Sequence, residues 1–265
     1  MLIGIDHVVI ATDDPDETAA SLEQKLGLAA TGGGRHDAFG TMNRLVWLGD
    51  AFLELIGVFD AELASRSWLG RPVLDALERG GGLVTWAIAV DDLDDALRWA
   101  PPDGGLIGPA AGERRRPDGR IVRWRLARPD AVSPTAPFLI EHDLEAAEWS
   151  AAERQSRQDE QHPFGGRARL ASLDVETPSP AGAAGRLRSL LAAAVEPAGR
   201  AGVRVRLGSQ EARFVVPRQR PGPIVDLVAD VPLRTTVTRI GDCEVRLRGT
   251  AVAVVEPVPD DQTGV

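Results

Sequence analysis

Apolar and polar positions alternate along the start of the chain, shift to a helical period, and then alternate again. Residues 2–12 form an Ile/Val-rich run that reads as a strand. Asp14-Pro15-Asp16-Glu17 follows, combining an N-cap, a proline suited to the first helical turn and a capping-box-like glutamate. Ala19, Leu22 and Leu26 continue at helical spacing until Gly27, a natural C-terminal stop. Strands are expected around residues 29–31, 43–48 and 51–58, with Gly49-Asp50 turning the last two into a hairpin. The order is β-α-β-β-β.

The order then recurs. Residues 82–90 are a second apolar strand ending in Asp91-Asp92, a short helix runs to Trp99, and strand-like runs stand at 106–107, 121–126 and 138–142. Asp14 and Asp92 lie 78 positions apart, which gives the register of the repeat. A weaker third copy starts at 169–177, with a helix opened by Ser179-Pro180 and ending near Ala194. Strands at 203–207, 212–216 and 224–228, a hairpin of 237–240 with 244–247, and a run at 251–255 complete it.

The expected organisation is a first module over 1–60, a connector over 61–80 and a second module over 81–146. A polar linker over 147–166, a degenerate third module with its hairpin over 167–257 and a frayed tail over 258–265 follow. The class is α+β, built from repeated βαβββ modules with curled mixed sheets.

Composition narrows the function classes. The chain has 265 residues, 43% hydrophobic and 26% charged, the balance of a globular protein with a sizeable core. A net charge of −9 speaks against nucleic-acid or anionic-membrane partners, which need a concentrated basic face. Cys243 is the single cysteine, so there is no internal disulfide and no Cys-rich zinc site. The start lacks signal-peptide features and no stretch reaches the roughly 18 apolar residues of a membrane span, so a cytoplasmic location is expected. Walker loops, dinucleotide fingerprints and Gly-x-Ser-x-Gly elbows are missing. The triple glycines at 32–34 and 80–82 read as turns before strands.

The segment GIDHVVIATDDPDETAASLEQKLGL with GDAFLELIGV, together with GGRHDAFGTMNRLVWLGDAFLELI and PFLIEHD, resembles the vicinal oxygen chelate (glyoxalase-like) superfamily over roughly residues 1–145. The resemblance implies paired modules curled around a cavity, with a divalent metal held by first- and last-strand side chains. His7, Glu54 and Glu141 match those positions, for Zn, Mn, Fe or Ni. Strand parity supports an inward His7, placing Ile3, Ile5, His7 and Val9 on one face with Val8 and Ile10 on the other. Parity also places Glu141 with Leu139 inward, and Phe138, Ile140 and His142 outward. The repeat register sets Thr85 opposite His7, Ser172 in the third copy, and Asp226 opposite Glu54.

Glu54, Glu141 and His36 are the candidate catalytic groups, with His36 either a proton shuttle or a solvated loop histidine. Asn43, Thr85 and Trp86 are candidate substrate contacts; for Trp86, core packing is the competing reading. Trp47 and Trp124 could wall a pocket or fill the core. Arg114-Arg115-Arg116 before Pro117-Asp118-Gly119 reads as a solvated hairpin tip, with anion binding the alternative. The resemblance implies a small oxygen-rich ligand and a metal-dependent lyase or isomerase, with a metal-free binding or drug-sequestering protein as the second reading. A homodimer is compatible with either.

Overall fold

The computed structural model describes residues 2–99, 105–145, 148–191, 195–197, 202–217 and 222–250. The expected strand at 251–255, the end of the helix near Ala194 and the C-terminal tail lie outside the described residues.

The first module is β1 (Leu2–Ala11), α1 (Pro15–Leu26), β2 (Gly32–His36), β3 (Thr41–Leu48) and β4 (Ala51–Val58). Asp14 caps α1, its carboxylate accepting from the backbone N–H of Asp16 (2.8 Å) and Glu17 (3.1 Å), and Gly27 ends it in the left-handed region at φ 66°. The connector folds as α2 (Ala61–Arg66) and α3 (Gly70–Glu78). The second module is β5 (Gly82–Val90), α4 (Leu93–Trp99), β6 (Leu106–Arg115), β7 (Ile121–Pro129) and β8 (Phe138–His142). Together the strands close a barrel in the order β1-β4-β3-β2-β6-β7-β8-β5.

Closure explains the one displaced strand. β2 is the glycine run itself, not the preceding 29–31, because it is squeezed between β3 and β6. A Cβ on Gly34 would lie 2.0 Å from the Arg115 carbonyl oxygen, so the Arg35–Arg115 pairing that seals the barrel needs a residue without a side chain there.

After α5 (Ala151–Asp159) come β9 (Ala168–Glu176), α6 (Pro180–Leu191), β10 (Val195–Pro197), β11 (Gly202–Leu207), β12 (Gln210–Val215), β13 (Ile224–Ala229), β14 (Thr236–Ile240) and β15 (Cys243–Arg248). Their sheet runs β10-β11-β12-β9-β13-β15-β14. This repeats the barrel order β2-β3-β4-β1-β5-β8-β7. As β1 pairs parallel with β4 and antiparallel with β5, so β9 pairs parallel with β12 and antiparallel with β13. The third module is therefore followed by an abbreviated fourth, with no helix between β13 and β14 and no counterpart of β6 among the described residues. Asp226 consequently sits on the counterpart of β5, beside Ser172, rather than on the counterpart of β4 where the simple register placed it.

One apolar core serves both sheets. Val8, Ile10, Leu53, Leu55, Trp86, Ile88 and Leu139 leave the outer face of the barrel and cluster with Leu173, Val205, Phe214, Val225 and Leu227 of the second sheet. Each large side chain fully buried there contributes about 1.5–3 kcal/mol, so the sheets are expected to melt together. No described helix is long and apolar enough to cross a membrane.

The stretch expected to be a polar linker packs against the barrel instead. Glu148, Trp149, Arg157 and His162 are buried. Trp149 joins Leu45, Trp47, Phe52 and Val122 in a small core at the barrel end. Arg157 lies over the Trp47 ring at 4.1 Å and near Trp149 at 5.0 Å, and the His162 ring nitrogen meets the Trp47 carbonyl at 3.0 Å. The many charges of this stretch conceal a few apolar anchors, and its long cations cover rings with their stems and faces.

Candidate active site inside the barrel

The barrel encloses a narrow cavity of about 50 Å³, or about 510 Å³ when all empty space up to and including its open mouth is counted. Phe39, Phe52, Trp68, Trp124, Phe138 and Trp149 supply aromatic walls, and His7, His36, Asn43, Glu54, Arg114 and His142 supply the polar groups.

All of these except Arg114 join one cluster through Asp6. Asp6 bridges two imidazoles, with His7 Nδ1 2.5 Å from Oδ1 and His142 Nε2 2.7 Å from Oδ2. His7 Nε2 stands 3.5 Å from Glu54 Oε2. Asn43 Nδ2 donates to Glu54 Oε1 at 2.6 Å, which lies 3.8 Å from His36 Nε2. His36 Nδ1 is 3.0 Å from Thr41 Oγ1. His7 stacks on Phe52 with centroids 4.5 Å apart, and His142 on Trp149 at 3.7 Å. The rings thus hold the imidazoles while Asp6 orients them.

Burial alone would raise the Asp6 carboxyl, but the His142 and His7 imidazoles beside it hold it well below the usual carboxylate range. Asp6 is therefore an anion in the folded protein at neutral pH. His36 goes the other way. Burial pushes its imidazole down to about 4, and Arg114 and His7 add to the effect while Glu54 opposes it. His36 is then neutral above about pH 5. Because its folded value lies below the unfolded one near 6.5, this linkage supports the fold fully above pH 6.5 and is lost as pH falls toward 4. An NMR titration of the His36 ring should show no protonation between pH 8 and about 5; a midpoint near 6.5 would contradict the placement.

A β-bulge brings the Asp6 carboxylate within reach of the His7 ring. Ile5 pairs with Ile88 and His7 with Ala87, so Asp6 is an extra residue against β5. The parity that carried Ile5 inward with His7 fails at this point. Ile5 joins the outer core with Val8 and Ile10, while His7 lines the cavity and Asp6 stands behind it, bonded to His7 and His142. A bulge re-aims side chains beside a site in this way. An aspartate inside an Ile/Val strand was the only sequence sign of it.

Glu141 and His142 exchange the roles expected for them. Leu139 packs outside in the main core, and Phe138, Ile140 and His142 line the cavity. Glu141 Oε2 instead accepts from the Leu93 N–H at the start of α4 (3.1 Å) and pairs with Arg125 (3.2 Å). Its role as a cavity carboxylate is corrected: helix capping satisfies it outside the barrel. Trp86 is likewise on the outer face, fully buried, with Nε1 donating to the Pro134 carbonyl at 2.8 Å; it does not touch the cavity. Thr85 is fully buried and absent from the cavity lining.

Arg114 is no solvated tip. It is buried in the cavity wall, donating to the Gly33 carbonyl and to Glu148 Oε2, each at 2.5 Å. Its neighbour Arg115 is the exposed one, paired with Asp37. A run of arginines on a strand alternates between wall and solvent, and the sequence does not say which member goes in.

The ligand set expected for a metal does not assemble. Glu141 faces away from His7 and Glu54, and Thr85 is no substitute. Among the described residues no group of three or more His, Cys, Asp or Glu side chains is placed to hold an ion.

Comparisons with known proteins agree with the architecture. A hypothetical protein from Staphylococcus aureus superposes with a TM-score of 0.77 at 14% identity, over 94% of this chain and 100% of that one. A mutant of 4-hydroxymandelate synthase from Streptomyces coelicolor superposes at 0.56 and 14% identity, over 87% of this chain and 72% of that one. No curated protein matches the chain in sequence. The glyoxalase-like domain model matches residues 5–191, and the chain therefore belongs to the glyoxalase-like domain family.

Proposed function

We propose that the barrel cavity binds a small oxygen-bearing molecule and moves a proton on it, as an isomerase or lyase would, with His7 as the base. The observation that carries this reading is the Asp6–His7 pair aimed at Glu54 at an aromatic-walled cavity. Asp6 accepts the Nδ1 proton, which leaves the Nε2 lone pair toward the ligand and stabilises the imidazolium that forms. Asn43 fixes the Glu54 carboxylate through Oε1, leaving Oε2 to orient a ligand hydroxyl or take part in the transfer. Neutral His36, with Thr41 donating to its Nδ1, presents an Nε2–H suited to a developing enolate oxygen. The aromatic walls exclude water and receive the apolar part of the ligand. No step is assigned to a metal, since the donors do not converge.

The competing reading is ligand storage without turnover. It uses the same aromatic walls but gives no task to Asp6, His7 and Glu54. Proton NMR in D₂O separates the two, with pyruvate, lactate, malonate and hydroxyacetone as probes. Catalysed loss of a C–H signal from at least one probe, falling by about 10²-fold or more in His7→Gln and Glu54→Gln, is expected. Exchange with none of them, or exchange unaltered in both variants, contradicts the enzyme reading. Tryptophan fluorescence that reports binding unchanged in both variants, without exchange, supports storage.

A further inference from the structure

The second sheet meets the barrel through polar contacts at two places among the described residues: Asp242 accepts from the Leu83 N–H at 3.2 Å at the start of β5, and Gln210 bonds to β1. Gln210, the first residue of β12, accepts from the Ile5 N–H through Oε1 (2.6 Å) and donates to the Ile5 carbonyl through Nε2 (3.1 Å). A single side-chain amide thus satisfies both backbone groups of one residue, as a neighbouring strand would. β1 needs a substitute there, because its pairing with β4 begins only at His7. The approach is close: a Cβ on Gly4 would lie 2.5 Å from Gln210 Oε1, so a glycine beside Ile5 is part of the arrangement.

The residue after Ile5 is Asp6, the extra residue of the bulge. Clamping Ile5 sets where the bulge begins and therefore where the Asp6 carboxylate points. Beyond the clamp lies a cleft of about 1040 Å³ between barrel and second sheet, with Asp6 and His142 on its barrel side and Ser209, Gln210 and Arg169 opposite. Asp6 is thus held from the side of the second sheet, while His7 acts on the cavity side.

We propose that Gln210 is a positioning residue for the barrel site: it locks the β1 bulge that sets Asp6 between His7 and His142. The second sheet is then a working part of that site. The catalytic consequence rests on the acid–base reading given above; the geometric claim does not. A slip of one residue in this bulge would return Asp6 to the other face and leave His7 without its orienting carboxylate.

The test uses the full chain, uniformly ¹⁵N-labelled, with Gln210→Met, Gln210→Glu and the second-sheet core variant Leu247→Ala. The buried Asp6–His7 hydrogen bond should give a low-field imidazole N–H proton resonance. Gln210→Met, similar in length but unable to make either bond, is expected to abolish that resonance and lower kcat for proton exchange about 10- to 100-fold with KM unchanged. Gln210→Glu keeps the acceptor toward the Ile5 N–H and should retain part of the signal. Leu247→Ala should lower Tm at least as much as Gln210→Met yet leave the resonance in place. An unchanged resonance in Gln210→Met, its loss in Leu247→Ala, or its absence from the wild-type protein would each overturn the proposal. A resonance lost in Gln210→Met in a protein that exchanges none of the probes would uphold the positioning role and sink the acid–base reading.

Discussion

Asp6→Asn should lower proton exchange in the barrel by about 10³-fold or more, while ligand binding read by tryptophan fluorescence changes little. The carboxylate accepts from His7 Nδ1 and His142 Nε2 with separate oxygens. An amide of the same shape offers one acceptor and one donor, so one imidazole must present a lone pair to it. If that imidazole is His7, its proton moves to Nε2 and the base is blocked at the atom facing Glu54. If it is His142, the pair loses the negative charge that stabilises an imidazolium. Either outcome removes a transition-state interaction rather than ground-state binding, so the loss belongs in kcat. The exchange assay in D₂O, run beside a binding titration, checks it. Retention of wild-type exchange would show that His7 does not depend on Asp6.

The largest stability effect is expected from Arg114→Ala. Arg114 and Glu148 are only 5% and 6% exposed, and removing the cation leaves a buried carboxylate, with Arg116 remaining at 3.5 Å. Breaking a buried pair from one side costs roughly 3–5 kcal/mol. At roughly 2–4 °C per kcal/mol for a chain of this size, Tm should fall by roughly 10 °C in a thermal melt. The double variant Arg114→Met with Glu148→Met should lose much less, because no charge is stranded. Equal losses in the two would show that the pair's packing, and not its charge, is what counts. The same pair anchors the 148–159 stretch to the cavity wall, so Arg114→Ala should also loosen Trp149 from His142.

Much of the frame was readable from pattern alone. Asp14, Pro15 and Gly27 bound α1, and the β-α-β-β-β order recurs because each module must bury one face of its sheet under a helix or another sheet. The fourth module was hidden because it lacks the helix that marks the others. In the site, alternation turned His7 and Glu54 toward the cavity that they line, since their Val and Leu neighbours had an evident core to face. It failed on β8, where Phe138, Leu139 and Ile140 are all apolar. Alternation then says which residues share a face but not which face is inside, and Glu141 was preferred over His142. Asp6 was missed for a different reason: a bulge breaks the period, and Gln210, which bonds the residue before it, lies 205 residues away. Arg114 and Trp149 were obscured by charged neighbours that do stay in solvent.

The central claim is that Asp6 sets His7 as a base facing Glu54. Long-range ¹H–¹⁵N correlation of the histidine rings near pH 7.5 tests it most directly. The expected result is a neutral His7 protonated at Nδ1 with a bare Nε2. A His7 protonated at Nε2 with a bare Nδ1 would contradict the account, because Asp6 would then accept nothing from it and the atom facing the cavity could not take up a proton.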